Sequence, residues 1–113
     1  MPAKYFRTHA HLLLCMNTNC RSRGADLLHL ALSRAFEQEK LAYYKSGGSL
    51  RFTTSGCLGA CSHGPVLACY RERNGSLEQA WYEHVDYPLA MRVARAAHEQ
   101  HDLPADRKYG PTE

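Results

Sequence analysis

Hydrophobic residues in the first half of the chain follow a strand, a helix and a second strand. The run Ala10–Cys15 is short and mostly apolar, which is typical of a buried strand. From Asn19, a suitable N-cap, to about Leu41 the apolar residues recur at helical intervals. Leu50–Thr54 is rich in strand-forming residues and is predicted to be the second strand. The predicted helix has one apolar face, made of Ala25, Leu28, Leu32, Ala35 and Phe36.

The second half of the chain predicts two further strands and a second helix. Ser55–Gly64 contains three glycines and two cysteines, so we expect an irregular loop there. Pro65–Tyr70 and Leu77–Val85 are predicted to form a hairpin, because Asn74 and Gly75 between them favour a type I′ turn. Asp86 is a suitable N-cap for a helix that ends near Gln100. The inner face of that helix would consist of Ala90, Val93, Ala94 and Ala97.

The order of these elements, β-α-β-β-β-α, predicts the fold class. A helix that connects two strands of one sheet places them parallel, whereas a hairpin is antiparallel. We therefore expect a two-layer α/β fold with a four-stranded mixed sheet and two main helices. The domain would span residues 10–100, after an N-terminal extension, 1–9, and before a loose polar C-terminal tail, 101–113.

Composition narrows the class of protein. The chain has 113 residues, 44% hydrophobic and 22% charged, as expected of one globular domain. Its longest apolar run, Leu12–Met16, is too short to cross a membrane. Because no apolar segment of signal-peptide length follows the N-terminus, a cytoplasmic location is predicted. The net charge of +3 is too small to indicate nucleic-acid binding.

Five cysteines carry the candidate chemistry. Four residues separate Cys15 from Cys20, and three separate Cys57 from Cys61, whereas Cys69 lies inside an apolar strand and is predicted to be a buried small side chain. The odd number of cysteines argues against a disulfide framework. Neither pair has the Cys-x-x-Cys spacing that zinc sites and thioredoxin-type dithiols favour. The wider spacings suit an iron–sulfur cluster with two irons.

The predicted topology brings the two cysteine pairs to one end of the sheet. Cys15 ends the first strand, Cys20 begins the first helix, and the pair Cys57 and Cys61 lies in the loop before the third strand. The four thiols could therefore converge on one metal centre. A [2Fe–2S] cluster and a zinc ion both fit such a centre.

Two segments resemble a known family, the thioredoxin-like [2Fe–2S] ferredoxins, which include the cluster-carrying small subunit of respiratory NADH dehydrogenase. These segments are Cys15–Leu28 and Cys57–Val66, supported by Ala80-Trp81-Tyr82 and the helix after Asp86. The resemblance implies a thioredoxin-like fold, a cis bond before Pro65, electron transfer, and often a homodimer. It also implies that the ligands of the [2Fe–2S] cluster are Cys15, Cys20, Cys57 and Cys61, with Cys69 matching no ligand position.

The leading hypothesis is a one-electron carrier that is not an enzyme by itself. It would serve a reductase, or act as a detachable subunit of a flavin-containing dehydrogenase. The alternative is a zinc-binding structural or adaptor module that uses the same four cysteines. His63, two residues after Cys61, is either a proton-coupled neighbour of the cluster, an alternative ligand or an exposed loop histidine. Arg21 and Arg23 either tune the site, meet an acidic partner or are merely solvated.

Overall fold

The structure is a computed structural model, and it describes residues 10–41, 50–56, 58 and 61–110, without the side chain of Cys61. Within these residues the sheet has five strands in the order β2-β1-β3-β4-β5; β1 and β2 are parallel and the other pairs antiparallel. The strands are β1 (Ala10–Cys15), β2 (Leu50–Ser55), β3 (Leu67–Arg73), β4 (Ser76–Tyr82) and β5 (Lys108–Gly110). The helices are α1 (Thr18–Ser22), α2 (Ala25–Gln38) and α3 (Tyr87–Glu99). The predicted two-layer α/β class with a mixed sheet is confirmed.

The predicted single helix from Asn19 to Leu41 is wrong, because the chain forms two helices there. Gly24, with φ of 99°, separates α1 from α2 in a left-handed conformation that favours glycine. The N-cap is Asn17, whose side chain accepts a hydrogen bond from the Asn19 amide. Cys20 therefore lies on the short helix α1, which stands between β1 and α2 in the order of the chain.

The hairpin predicted at Asn74 and Gly75 is confirmed. Both residues have positive φ, 54° and 78°, as a type I′ turn requires. The hairpin strands are shifted from their predicted bounds, since β3 begins at Leu67 and continues to Arg73, and β4 ends at Tyr82. The third strand therefore starts beyond Pro65, which belongs to the preceding loop.

The fifth strand corrects the prediction of a loose tail over residues 108–110. Lys108 and Gly110 pair with Tyr82 and Trp81 on the outer edge of β4, across an irregular register. The strand is short and polar, so its own sequence carries little strand signal. The chain returns to the sheet because the Tyr82 hydroxyl donates to the Pro104 carbonyl at 2.7 Å and Glu83 donates its amide to Arg107 at 3.0 Å.

The main core lies between the sheet and the helices α2 and α3. These helices contact each other and β1, which places them on the same side of the sheet. Leu12 and Leu14 of the central strand are fully buried. Both predicted apolar faces are confirmed, because every residue assigned to them is buried in α2 and α3.

The N-terminus of α3 is capped as the sequence predicts. The Asp86 carboxylate accepts a hydrogen bond from the Leu89 amide at 3.0 Å, and Arg107 lies 3.2 Å from its other oxygen. The hydrogen bond from Leu89, and secondly the guanidinium of Arg107, lower the pKa of this carboxyl from its ordinary value. The carboxylate thus stabilises the fold only while it is ionised.

The cap gives a pH-dependent prediction. At neutral pH, Asp86→Ala is expected to destabilise the chain by about 1 kcal/mol, because the helix loses its N-cap. The folded pKa is below the unfolded value near 3.9, so this stabilisation is complete above about pH 5 and is lost as pH falls through the folded pKa. Thermal unfolding across pH 2–7 is the measurement, and the difference between the natural chain and Asp86→Ala should shrink toward the acid end.

Asp86→Asn is the control for this prediction. Asparagine keeps an oxygen that accepts from Leu89 but does not titrate, so its advantage over Asp86→Ala should stay constant with pH. An Asp86→Ala deficit that persists unchanged at low pH would contradict the role of the ionised carboxylate.

Candidate metal centre

Cys15 and Cys20 lie together in a small buried cluster beside the main core. Both side chains are fully buried, with Ala25 and Val66 as their buried neighbours. The wall of the cluster is completed by partly buried residues, Met16, Leu58 and Tyr109. The structure therefore brings the first predicted cysteine pair to one apolar site at the end of β1.

The loop with the second cysteine pair begins and ends beside Cys15. Met16 donates its amide to the Ser55 carbonyl at 2.8 Å, and Cys15 donates its amide to the Val66 carbonyl at 3.0 Å. Ser55 is also the register partner of Cys15 in the parallel pair of strands. These two hydrogen bonds join both ends of the segment 56–65 to the end of β1. The cis bond predicted between Gly64 and Pro65 is confirmed in this segment.

The backbone at Cys61 is close to the helix that carries Cys20. Cys61–His63 forms a short 3₁₀ helix, and its Cα atoms come within 8 Å of those of α1. Cys57 and the side chain of Cys61 lie outside the described part of the chain. Cys15 and Cys20 are thus the described half of the predicted four-thiol set.

Cys69 is set apart from this site. It lies on β3 in the main core, fully buried between Leu12 on β1 and Ala80 on β4. Cys69 is three positions beyond Val66 along an extended chain, a distance of about 10 Å. Burial raises the pKa of the Cys69 thiol to about 12, so the thiol stays protonated near neutral pH. Its predicted character as a buried small side chain is confirmed.

His63 is exposed at the rim of the site and has a second histidine as its neighbour. Its Nδ1 lies 3.1 Å from the hydroxyl of Ser62, and its ring centroid is 5.7 Å from that of His84. The His84 amide donates to the His63 carbonyl at 2.7 Å, which connects the rim to the end of β4. The structure shows that His63 is exposed; its coupling to the cluster and its role as an alternative ligand stay predictions.

Two residues at this site, Tyr109 and His84, were not predicted from the sequence. Tyr109 packs on the small cluster because β5 returns to the sheet, and His84 reaches the rim because the chain turns after β4 with a φ of 47°. Neither residue carries a local signal that would indicate its place. Both are brought there by tertiary contacts alone.

The donors fit an iron–sulfur cluster. Thiolates are the soft ligands such clusters use, and a buried, apolar site with two thiols supplies the first pair. The fold holds both ends of the loop that contains the second pair beside Cys15. A mixed sheet with a buried pair of thiols at the end of its first strand fits an iron–sulfur protein of the ferredoxin class.

Comparison with protein families gives the particular family. The model of the thioredoxin-like [2Fe–2S] ferredoxins matches residues 5–85, so the chain belongs to this family. The chain is therefore an iron–sulfur electron carrier, and its cofactor is a [2Fe–2S] cluster. No curated protein sequence matches the chain.

Solved structures agree on the fold. The wild-type thioredoxin-like [2Fe–2S] ferredoxin from Aquifex aeolicus superimposes with a TM-score of 0.65 at 20% identity, over 89% of this chain and 95% of that one. A cysteine-to-serine variant of the same protein gives a TM-score of 0.68 at 16% identity, over 90% of this chain and 99% of that one. Within the described ranges, no helix has the length and hydrophobicity of a membrane span.

Proposed function

We propose that Cys15, Cys20, Cys57 and Cys61 bind the [2Fe–2S] cluster and that the chain carries single electrons between partner proteins. When bound, the cluster supplies one-electron redox chemistry. The observation that carries the proposal is the pair of hydrogen bonds from Cys15 and Met16 to Val66 and Ser55, because they hold both ends of the second cysteine loop beside the first pair.

The residues of the site have separate roles in this proposal. Each cysteine pair would bind one iron. The apolar neighbours Ala25 and Val66 exclude water from the first pair, and Tyr109 narrows the opening from the side of β5. Amide groups of the 55–64 loop would donate hydrogen bonds to sulfur, which favours the more negative, reduced state.

The setting of the carrier is part of the proposal. Its redox partner would be a reductase or a flavin-containing dehydrogenase. The chain would form a homodimer and would be located in the cytoplasm. The chain would have no catalytic activity of its own. Sedimentation of the cluster-loaded protein measures the oligomeric state, and a monomer at micromolar concentration would contradict the dimer.

Metal and sulfide analysis tests the cofactor and the electron-carrier function. Anaerobically purified chain should contain about two irons and two acid-labile sulfides, and dithionite reduction should give a rhombic EPR signal of a two-iron centre. Chain reconstituted with iron and sulfide that stays colourless would overturn the proposal. One zinc per chain with no sulfide after the same reconstitution would favour the adaptor hypothesis instead.

A further inference from the structure

Helix α2 has a second apolar stripe on the side that faces away from the core. Leu27 and Leu30 are 71% and 59% exposed, and with Ala31 and Arg34 they follow the spacing i, i+3, i+4, i+7. The buried stripe of the same helix includes Leu28 and Leu32, so both sides of α2 are apolar. Contiguous exposed apolar residues of this kind mark interaction sites more often than isolated ones do.

The arginines around this stripe have no carboxylate partner. Arg21, Arg23 and Arg34 are exposed, and none forms an ion pair within the residues that the structure describes. Two acidic residues, Asp26 and Glu37, are also exposed on α2 but do not pair with them. By contrast, five other arginines each bind a carboxylate: Arg71, Arg73, Arg92, Arg95 and Arg107. Among the described residues from Thr18 to Gln38, three arginines and two carboxylates thus have no ion-pair partner, which leaves one net positive charge.

The same stretch of chain begins next to Cys20 of the proposed metal centre. Arg21 follows the buried Cys20 on α1, and α1 contacts the 3₁₀ helix Cys61–His63. The surface then continues along α2 through Leu27 to Arg34. We call the set Arg21, Arg23, Leu27, Leu30 and Arg34 the α1–α2 surface. A protein bound there would contact Arg21, the residue that follows Cys20.

We propose that the α1–α2 surface is the docking site for an acidic protein that exchanges electrons with this chain. The inference rests on the proposed function and specifies its partner. Carboxylates of the partner would meet the unpaired arginines and speed the encounter, since complementary charge raises association rates. Leu27 and Leu30 would form the water-excluding centre of the contact, within a polar rim.

Two other occupants fit this surface less well. A second copy related by a twofold axis would bring a surface with the same net positive charge, so it would add no complementary charge. A nucleic acid would match the arginines but not the two leucines, because such interfaces are more polar than those between proteins. The combination of apolar centre and cationic rim favours an acidic protein.

Stopped-flow electron transfer tests the arginines, with an acidic flavodoxin as the probe. Dithionite-reduced chain is mixed with oxidised flavodoxin at several ionic strengths. Arg21→Gln/Arg23→Gln is expected to lower the second-order rate about tenfold at low salt and to flatten its salt dependence. Arg73→Gln/Arg92→Gln removes the same charge from paired arginines and should change the rate less than about twofold.

The leucines are tested by the same measurement. Leu27→Ser/Leu30→Ser is expected to lower the rate about threefold or more while leaving its salt dependence unchanged, because the loss is apolar. Leu77→Ser is the matched control, since Leu77 is 72% exposed on β4 and lies outside the α1–α2 surface. Its rate should equal that of the natural chain.

Iron content and visible absorption of every variant separate the two proposals. A natural chain without a cluster overturns the proposed function and this inference together. If every variant is loaded but the arginine variants react at the natural rate, or if that rate is independent of salt, only the docking surface is overturned. The docking surface is also overturned if a short DNA duplex binds the natural chain at physiological ionic strength and only the arginine variants fail to bind the duplex. If Leu27→Ser/Leu30→Ser converts a dimer to a monomer, a second copy of the chain covers the leucines, and the proposed docking of an acidic protein is overturned.

Discussion

Cys20→Ala is expected to carry at least about tenfold less iron and sulfide than the natural chain, because even residues that only support metal ligands cost 10–100-fold in affinity when removed. The reason is local: Cys20 is one of the two thiols that the fold buries together at the end of β1. Alanine is chosen over serine because a serine oxygen could replace the lost thiolate as a donor. The visible absorption and the EPR signal of the reduced centre should fall in parallel.

Cys69→Ala is the matched control for this variant. Cys69 is as completely buried as Cys20, so the two substitutions remove the same atom from equally buried positions. Cys69 lies in the main core, whereas Cys15 and Cys20 lie together in the small cluster beside it. Its alanine variant should keep the full iron content. Loss of the cluster in Cys69→Ala, or its retention in Cys20→Ala, would show that the ligand assignment is wrong.

Glu78→Ala is expected to destabilise the chain by about 2 kcal/mol, which lowers the midpoint of thermal unfolding by about 10 °C in a domain of this size. Arg71 is fully buried on β3, and its Nε donates to the Glu78 carboxylate at 2.6 Å. Removal of Glu78 would leave a buried guanidinium without its counter-charge. The effect falls below that of a fully buried pair because the Glu78 side chain is 39% exposed.

Two further variants identify the unpaired charge as the cause. Glu72→Ala removes an exposed carboxylate from the same sheet and should cost less than about 0.5 kcal/mol. Arg71→Met removes the charge but keeps a long apolar side chain, and it should be close to neutral. The Ala96 carbonyl, which accepts from Arg71 at 3.2 Å, would still accept from the His101 amide. A larger loss in Arg71→Met than in Glu78→Ala would contradict this explanation.

Local sequence patterns predicted those strands, turns and caps whose structure depends on residues that are neighbours in the chain. The buried run at Ala10–Cys15, the turn at Asn74 and Gly75 and the cap at Asp86 depend on neighbouring residues, and each is confirmed. The helix break at Gly24 was missed because apolar residues continue on both sides of it. A lone glycine inside such a pattern is compatible with an unbroken helix.

Features that depend on distant contacts could not be predicted in the same way. The short strand Lys108–Gly110 is polar, and only its pairing with β4 and the contacts of Tyr82 place it. The end of the sheet at which Cys15 lies could be predicted, because topology fixes it. The exposed stripe of Leu27 and Leu30 could also have been found, since its helical spacing is visible in the sequence.

In the described part of the chain the two buried clusters share no buried residue, although the partly buried Met16 packs against both, and this bears on how the cofactor is acquired. Leu12, Leu14 and their neighbours pack the sheet against α2 and α3 without any thiol ligand of the proposed cluster. Small metal domains such as zinc fingers have no such core and cannot fold before the metal arrives. Here the scaffold can assemble first, so maturation would consist of delivering iron and sulfide to a polypeptide that already holds Cys15 and Cys20 in place.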